Sequence, residues 1–398
     1  MEFEILRLKS NQDRRLRAGH LWVYSNEVDT DATPLKGLTP GQQVVIENAR
    51  GRFLGYAYAN PNSLICARLM SRDKAHPIEA PLLVHRLKIA LGLRERWYAQ
   101  PYYRLVFGEG DLLPGLVVDR YGEHLVAQIG TAGMEVMREE IAGALQKALK
   151  PASLLWRNDS AVRDLEGLGR YVEPAFGETP ALLEVREGGC RFEVSPTEGQ
   201  KTGWFFDQAF NRDLLMPHVA GQRVLDVCSY VGAWGVRAAA SGAREVLCVD
   251  ASRHALERVA ANAEVNGVSE KVGTLQADAF DALRQLKAAG ERFDVIVLDP
   301  PAFIKRRKDM KEGMLAYRRL NEAAIGLVTR DGLVVTASCS FHMDRDNLLR
   351  TVQQAARHGD RFLQALQSGQ QGPDHPVHPA IPETAYLKAF TLRVLPGA

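Results

Sequence analysis

Four aspartates and a cysteine in the C-terminal half each stand at or just past the end of a short apolar run. Asp226 closes the first such run, in Val224-Leu-Asp-Val-Cys-Ser-Tyr-Val-Gly-Ala-Trp-Gly235. A tight turn with Ser229, Gly232 and Gly235 leads from it into a helix near Val236. Glycine lets the backbone approach a ligand and adopt φ > 0, and ligands of parallel α/β sheets bind at the carboxyl ends of the strands. Asp250, followed by Ala251, ends the next run, where an acid accepts hydrogen bonds from both hydroxyls of a ribose. Asp278, within Ala277-Asp-Ala-Phe280, is placed to accept from an adenine amino group, with Ala279 beside it. The G-x-G-x-x-G spacing that cradles a pyrophosphate is absent, which argues against a dehydrogenase. S-adenosylmethionine carries a cation and no phosphate, and acidic strand ends suit it. Taken singly, each aspartate is equally well a helix cap or turn residue. The ordered set points to a cofactor site.

The fourth run ends in Asp299-Pro-Pro-Ala-Phe303. Consecutive prolines stiffen the chain and delay a helix. That suits a carboxylate and carbonyls presented to a planar base, with Phe303 at hand for stacking. The fifth run, Val334-Val-Thr-Ala-Ser-Cys-Ser-Phe-His342, puts Cys339 just past its end, on the edge shared with Asp299. A thiolate there is suited to attack C6 of a pyrimidine and make C5 nucleophilic toward a methyl group on sulfonium sulfur. The bland reading of Cys339 is a small buried hydrophobe, and Cys228 and Cys248, inside apolar runs, take that reading.

These residues need a sheet to align them. From about residue 205, strands and helices alternate, with strands expected at Arg223–Val227, Glu245–Val249, Gly273–Gln276, Phe293–Leu298 and Gly332–Thr336. Phe362 onward and Tyr386–Val394 are expected to close the sheet. The alternation predicts an α/β fold with a parallel sheet and right-handed crossovers. Upstream, residues 1–72 read as a mainly β module. Residues 73–187 read as a middle α+β domain with a helix near 78–98 and another over Gly133–Lys150. Residues 188–204 read as a connector, with a hairpin over Leu182–Ser195 turning at Gly188-Gly189. Residues 205–398 form the expected α/β domain.

Composition narrows the class of partner only slightly. Hydrophobic residues make up 46% and charged residues 25% of 398, with a formal net charge of +2, as in ordinary globular proteins. Five cysteines match neither a zinc site nor a disulfide framework, so no metal is expected. No apolar stretch approaches the length of a membrane span, and the expected location is cytoplasmic. The oligomeric state is open, a homodimer being one option. Two basic clusters are candidate RNA contacts: Arg14, Arg15 and Arg17, and Lys305, Arg306, Arg307, Lys308 and Lys311. Charge runs are often plain solvated surface; the second cluster, beside Asp299, is the better candidate.

Nearly the whole chain resembles the bacterial 23S ribosomal RNA large-subunit cytosine-C5 methyltransferases, which join an N-terminal PUA domain to a Rossmann-like class I methyltransferase domain. Arg14-Arg-Leu-Arg-Ala-Gly-His-Leu-Trp-Val-Tyr-Ser-Asn-Glu-Val28 resembles the opening of the PUA module. Gly108-Glu-Gly-Asp-Leu-Leu-Pro-Gly-Leu-Val-Val-Asp119 resembles the middle domain. Gln200-Lys-Thr-Gly-Trp-Phe-Phe-Asp-Gln208 is similar to the segment that helps hold the cofactor. The resemblance implies methyl transfer to C5 of a cytosine in large-subunit ribosomal RNA. It implies Cys339 as nucleophile, and Thr202, Phe206, Asp207, Gln208, Asp226, Asp250, Asp278 and Asp299 at or near the cofactor. Many RNA cytosine-C5 methyltransferases carry a second cysteine directly after Pro-Pro; here Ala302 stands there.

Two other readings compete. Methylation of a base nitrogen suits Asp-Pro-Pro followed by an aromatic, but needs no thiol. A non-catalytic RNA-binding assembly factor needs no set of acidic strand ends.

Overall fold

In the computed structural model, which describes residues 3–200 and 202–397, the chain folds as two units. One comprises residues 1–183, 195–204 and 373–384, and the other residues 184–194, 205–372 and 385–398.

The second unit is built on a seven-stranded sheet. Its strands are β1 (Arg223–Val227), β2 (Glu245–Asp250), β3 (Val272–Gln276), β4 (Phe293–Leu298), β5 (Val328–Ser338), β6 (Arg361–Gln370) and β7 (Lys388–Pro396), in the order β3-β2-β1-β4-β5-β7-β6. The first five are parallel and β7 runs antiparallel to both neighbours. Six helices serve it: α1 (Ala209–Leu215), α2 (Ala233–Ala240), α3 (Arg253–Val265), α4 (Ala279–Ala288), α5 (Met310–Ile325) and α6 (Arg345–His358). The apolar runs follow from burial on both faces of a parallel sheet. Leu225, Ile296, Leu298, Val334 and Leu392 join Leu283, Leu320 and Val352 in one core. The strand expected to start at Gly332 starts at Val328. A bulge containing Asp331, at φ +69°, had hidden its first part.

The first unit holds two five-stranded sheets. The N-terminal one spans Glu4 to Ser71 and the middle one Tyr102 to Phe176. The helix expected over Gly133–Lys150 is two, Ala132–Val136 and Arg138–Leu149, parted at Met137. Gly133 lies against Tyr58, where a Cβ would meet the ring at 2.0 Å. The edge strand Tyr171–Phe176 carries Pro174 and was not legible as a strand.

Two segments fall outside the expected parcelling. Residues 373–384 belong to the first unit: the Arg104 N–H donates to the Asp374 carboxylate at 2.9 Å, and Arg94 donates to the Asp374 carbonyl at 2.6 Å. The hairpin of Leu183–Glu187 and Cys190–Val194 does turn at Gly188-Gly189, but residues 184–194 belong to the second unit. There Glu187 takes a hydrogen bond from Arg212 Nη2 at 2.7 Å and one from Arg237 Nη1 at 2.6 Å. Burial raises the Glu187 carboxyl pKa, and the two guanidiniums outweigh that and hold it below the usual range. Its ion pairs therefore add stability above the ordinary glutamate pKa, and that stability is lost on acidification through the lowered value. Glu187→Ala takes from Arg212 the carboxylate that meets it here and leaves Arg237 with Asp213 at 2.6 Å, and is expected to cost about 3 kcal/mol, measured by urea unfolding at neutral pH.

Candidate active site

Parallel pairing brings the expected residues to one edge. Val227 pairs with Val249 on β2 and with Leu298 on β4, and Leu298 pairs with Thr336 on β5. Asp250, Asp299 and Cys339 therefore all emerge at the carboxyl ends of adjacent strands. Asp226 lies within β1, whose bounds are those expected, and is fully buried, with the Gly235 N–H donating to Oδ2 at 2.9 Å. A Cβ at Gly235 would meet the Cys248 sulfur at 2.4 Å, so this helix start admits glycine alone. Among the described residues, Oδ1 of Asp226 is buried without a hydrogen-bond partner.

Between β1 and α2 the backbone is strained. Cys228 and Tyr230 adopt φ of +65° and +50°, and Gly232 caps α2 at +86°, in the region that L side chains seldom enter. Strain of this kind persists where the surroundings over-determine it, and it clusters at functional sites. Here Ser229 is buried and donates its N–H to the Val249 carbonyl at 2.9 Å. The Tyr230 N–H donates to Asp250 Oδ2 at 2.9 Å, and the Ser252 N–H to Oδ1 at 2.8 Å. Asp250 so fixes the loop and keeps further lone pairs for a ligand. Ala251, which follows it, is exposed. Asp278 is exposed and caps α4, accepting from the Phe280 N–H at 2.9 Å; Ala279 opens that helix.

Phe206, Asp207 and Gln208 form a buried turn before α1. Gln208 donates to Asp299 Oδ1 at 2.7 Å, and the Trp234 indole donates to Oδ2 at 3.1 Å. The Tyr386 hydroxyl donates to Asp207. Thr202 lies in the first unit, with its hydroxyl donating to Asp119 and its carbonyl accepting from Tyr121 at 3.0 Å.

The carboxylates repel one another. Burial pushes the Asp226 carboxyl up to about 7, and the charges of Asp299 and Asp250 push the same way against the Gly235 hydrogen bond. Asp299 is raised too, mainly by burial and also by Asp207, against the hydrogen bonds from Trp234 and Gln208. Burial raises the Cys228 thiol, and all four of Asp250, Asp299, Asp226 and Asp278 add to it. A cluster of buried carboxylates, relieved in part by the Arg212 charge and with an acceptor oxygen on Asp226 that no described residue meets, fits a cationic ligand, and S-adenosylmethionine is one.

On the β5 side, Cys339 is half-buried. Its neighbours are tied down: the Ile304 N–H donates to Ser340 Oγ at 3.1 Å, joining the loop after β4 to the loop after β5. The Ser338 hydroxyl donates to the Tyr317 hydroxyl at 2.9 Å, which lies 3.0 Å from Ser340 Oγ. Phe303, expected to stack on a base, packs on Tyr317 with ring centroids 4.8 Å apart. Lys305, Arg306 and Arg307 are exposed, and Arg306 pairs with Asp309 at 3.2 Å. In the first unit Arg14 is exposed, Arg17 pairs with Asp13 at 3.6 Å, and Arg15 pairs with Glu27 at 2.7 Å and covers the Tyr24 ring. Sequence reasoning missed Trp234, Tyr386 and Lys388. The signal for Lys388 was present, as a lysine inside an apolar strand run. Among the described residues no group of three or more acidic, histidine or cysteine side chains is placed to hold a metal, and no helix is long and apolar enough to cross a membrane.

Comparisons with known proteins agree with this architecture. A PUA-like domain family matches residues 6–72, and an S-adenosylmethionine-dependent methyltransferase family matches residues 157–393. The "Ribosomal RNA large subunit methyltransferase I" of Salmonella arizonae is 35% identical over 98% of this chain and 97% of its own. That of Salmonella gallinarum is 35% identical over 99% and 98%. The same fold occurs in a methyltransferase structure complexed with S-adenosylhomocysteine, with a TM-score of 0.84 at 22% identity, covering 98% of this chain and all of the other. The chain is therefore an S-adenosylmethionine-dependent methyltransferase and belongs to the ribosomal RNA large subunit methyltransferase I family.

The raised Asp226 carboxyl has a measurable consequence. A folded-state pKa near 7, against 3.8 for an ordinary aspartate, means stability that is present below the ordinary value and is lost as pH rises through the folded one. Without cofactor, Asp226→Asn is expected to gain on the wild type between pH 4 and 7, by up to about 1.4 kcal/mol per pH unit. Urea midpoints of both proteins across that range test this; a constant difference contradicts it.

Proposed function

We propose that this protein methylates C5 of a cytosine in large-subunit ribosomal RNA, with Cys339 as the attacking nucleophile. The observation that carries the reading is the placement of Cys339: half-buried past β5, on the edge that holds the carboxylate cluster, in a loop bonded to the one that follows Asp299. The names of the 35% identical relatives support the substrate class.

When bound, S-adenosylmethionine supplies a methyl group on a sulfonium sulfur. Asp226, Asp207 and Asp299 offer the negative field for that cation. Asp250 with Ala251 serves the ribose. Asp278 and Ala279 serve the adenine, with Phe206, Gln208, Ser229 and Gly232 shaping the walls. The hydroxyl and carbonyl of Thr202 already have partners in the first unit, so Thr202 is left out of this set. On the substrate, the Cys339 sulfur forms a bond to C6, and the electron pair moves to C5, which is a poor nucleophile unaided. C5 takes the methyl group and then gives its proton to solvent water; the C–H pair restores the C5–C6 double bond as the S–C6 bond breaks and returns its pair to sulfur. Ala302 offers no second thiol for that release. The target base has to be unstacked for the thiol to reach C6. Lys305, Arg306 and Arg307, after β4, are the cationic contacts for the flanking phosphates, and Arg14 and Arg17 are RNA contacts of the first unit.

Two experiments test the reading. Wild type and Cys339→Ala are incubated with labelled S-adenosylmethionine and unmodified large-subunit RNA, and the labelled nucleoside is identified. Label in 5-methylcytidine that falls at least a hundredfold in the variant is the expected result. Label in a purine, or an active variant, sinks it in favour of transfer to nitrogen. In the second, Lys305→Ala/Arg307→Ala is expected to weaken RNA binding and to flatten the slope of log affinity against log salt by about one for each phosphate left unneutralised, read by fluorescence anisotropy. An unchanged slope removes these residues from the interface.

A further inference from the structure

Opposite the nucleophile's strand stands a buried amine that the proposed chemistry does not yet use. Lys388 opens β7 and pairs directly with Ser338, the residue before Cys339. Its side chain is 7% exposed, and its ammonium donates to the Ser340 carbonyl at 2.6 Å and the Tyr386 carbonyl at 2.7 Å. The two bonds fix the nitrogen beside the residues that flank Cys339 and leave one of its three N–H donors uncommitted. Among the described residues no carboxylate forms an ion pair with it. A buried cation without an ion-paired carboxylate is costly, and a thiolate at Cys339, whose charge favours the protonated lysine, is able to offset that cost.

We propose that the Lys388 ammonium is the counter-ion that holds Cys339 as a thiolate, making Lys388 a positioning residue for the nucleophile. The proposal rests on the reading of Cys339 given above. The thiol proton leaves to solvent, and the freed pair on sulfur forms the bond to C6 and returns when that bond breaks. Lys388 stays protonated throughout. The charged groups around it are consistent with this. Burial draws the lysine down to about 8, the Cys339 charge and Asp344 pull it back up, and Arg345 pushes it down. Burial raises the Tyr317 hydroxyl on the neighbouring helix, and the Cys339 charge adds to it, so Tyr317 stays a neutral hydrogen-bonding group. A cation close to a cysteine lowers its pKa and raises the thiolate fraction at neutral pH.

Alkylation of Cys339 by iodoacetamide reads the thiolate directly and needs neither cofactor nor RNA. The tryptic peptide Asp331–Arg345 contains Cys339 and no other cysteine, so mass spectrometry follows this site in the full-length chain. The wild-type midpoint of rate against pH is expected below the ordinary thiol value of about 8.5. Lys388→Gln keeps a donor for the Ser340 carbonyl and removes the charge. It is expected to move the midpoint up by at least about one pH unit, and so to slow alkylation at pH 7 about tenfold. Lys388→Arg, which restores the charge, is expected to recover most of the rate. Superimposable wild-type and Lys388→Gln profiles overturn the proposal. Should Lys388→Gln fail to fold, the wild type decides alone, since a midpoint at or above that of an ordinary thiol overturns it equally. If the profile shifts as expected while Cys339→Ala still methylates RNA, the ion pair stands and the nucleophilic reading of Cys339 falls.

Discussion

The in-register parallel pairing of β1 with β4, and of β4 with β5, is the constraint on which the rest depends. Parallel strands put every carboxyl end on one edge, and each must be followed by a loop before its crossover helix. Chemistry on that edge is therefore supplied by residues distant in sequence but fixed to within one pleat of each other. Asp226, Asp299 and Cys339 have no local relation. The ladder Val227–Leu298–Thr336 alone makes them neighbours. The Ile304 to Ser340 hydrogen bond extends that coupling beyond the sheet, so the loops after β4 and β5 act as one piece.

The edge is arranged against its own stability. Burial raises the proton affinity of Asp226, and the nearby charges of Asp299 and Asp250 add to the cost. Hydrogen bonds from Gly235, Tyr230, Ser252, Gln208 and Trp234 offset part of it. What is left is a field prepared before any ligand arrives, which is how preorganised sites favour developing or incoming charge. Backbone strain at Cys228 and Tyr230 serves the same end. The sheet holds it in place, and its effect is to aim N–H groups at Asp250.

Much of this was legible in the sequence because it is periodic. The strands of the second unit follow from apolar runs closed by acids or turn residues, and the hairpin turn follows from Gly188-Gly189. Individual roles were less legible wherever a side chain meets a distant partner. Phe303 reads as a stacking residue and also packs on Tyr317, on the following helix, a contact with no trace in the sequence. Asp278 looked like a ligand contact and also caps a helix, two duties that a one-dimensional pattern cannot separate. Arg15, in the basic cluster, also pairs with Glu27, a contact that the sequence does not display. Lys388 sits far from Cys339 in sequence, and only the antiparallel register of β7 makes them adjacent. Residues 373–384 show no compositional break, so their membership of the first unit follows only from the Arg94 and Arg104 bonds to Asp374.

That last feature bears on how such a molecule can be taken apart or recombined. The chain passes from one unit to the other at 183–184, 194–195, 204–205, 372–373 and 384–385. No single cut yields either unit whole. A fragment beginning at residue 205 forfeits Glu187, leaving Arg212 and Arg237 without that carboxylate, and carries a loop torn from Arg94 and Arg104. Modular exchange by simple end-to-end fusion is closed to this architecture. Any swap of one unit for another has to respect all five junctions, so the two units are inherited together as a single genetic object.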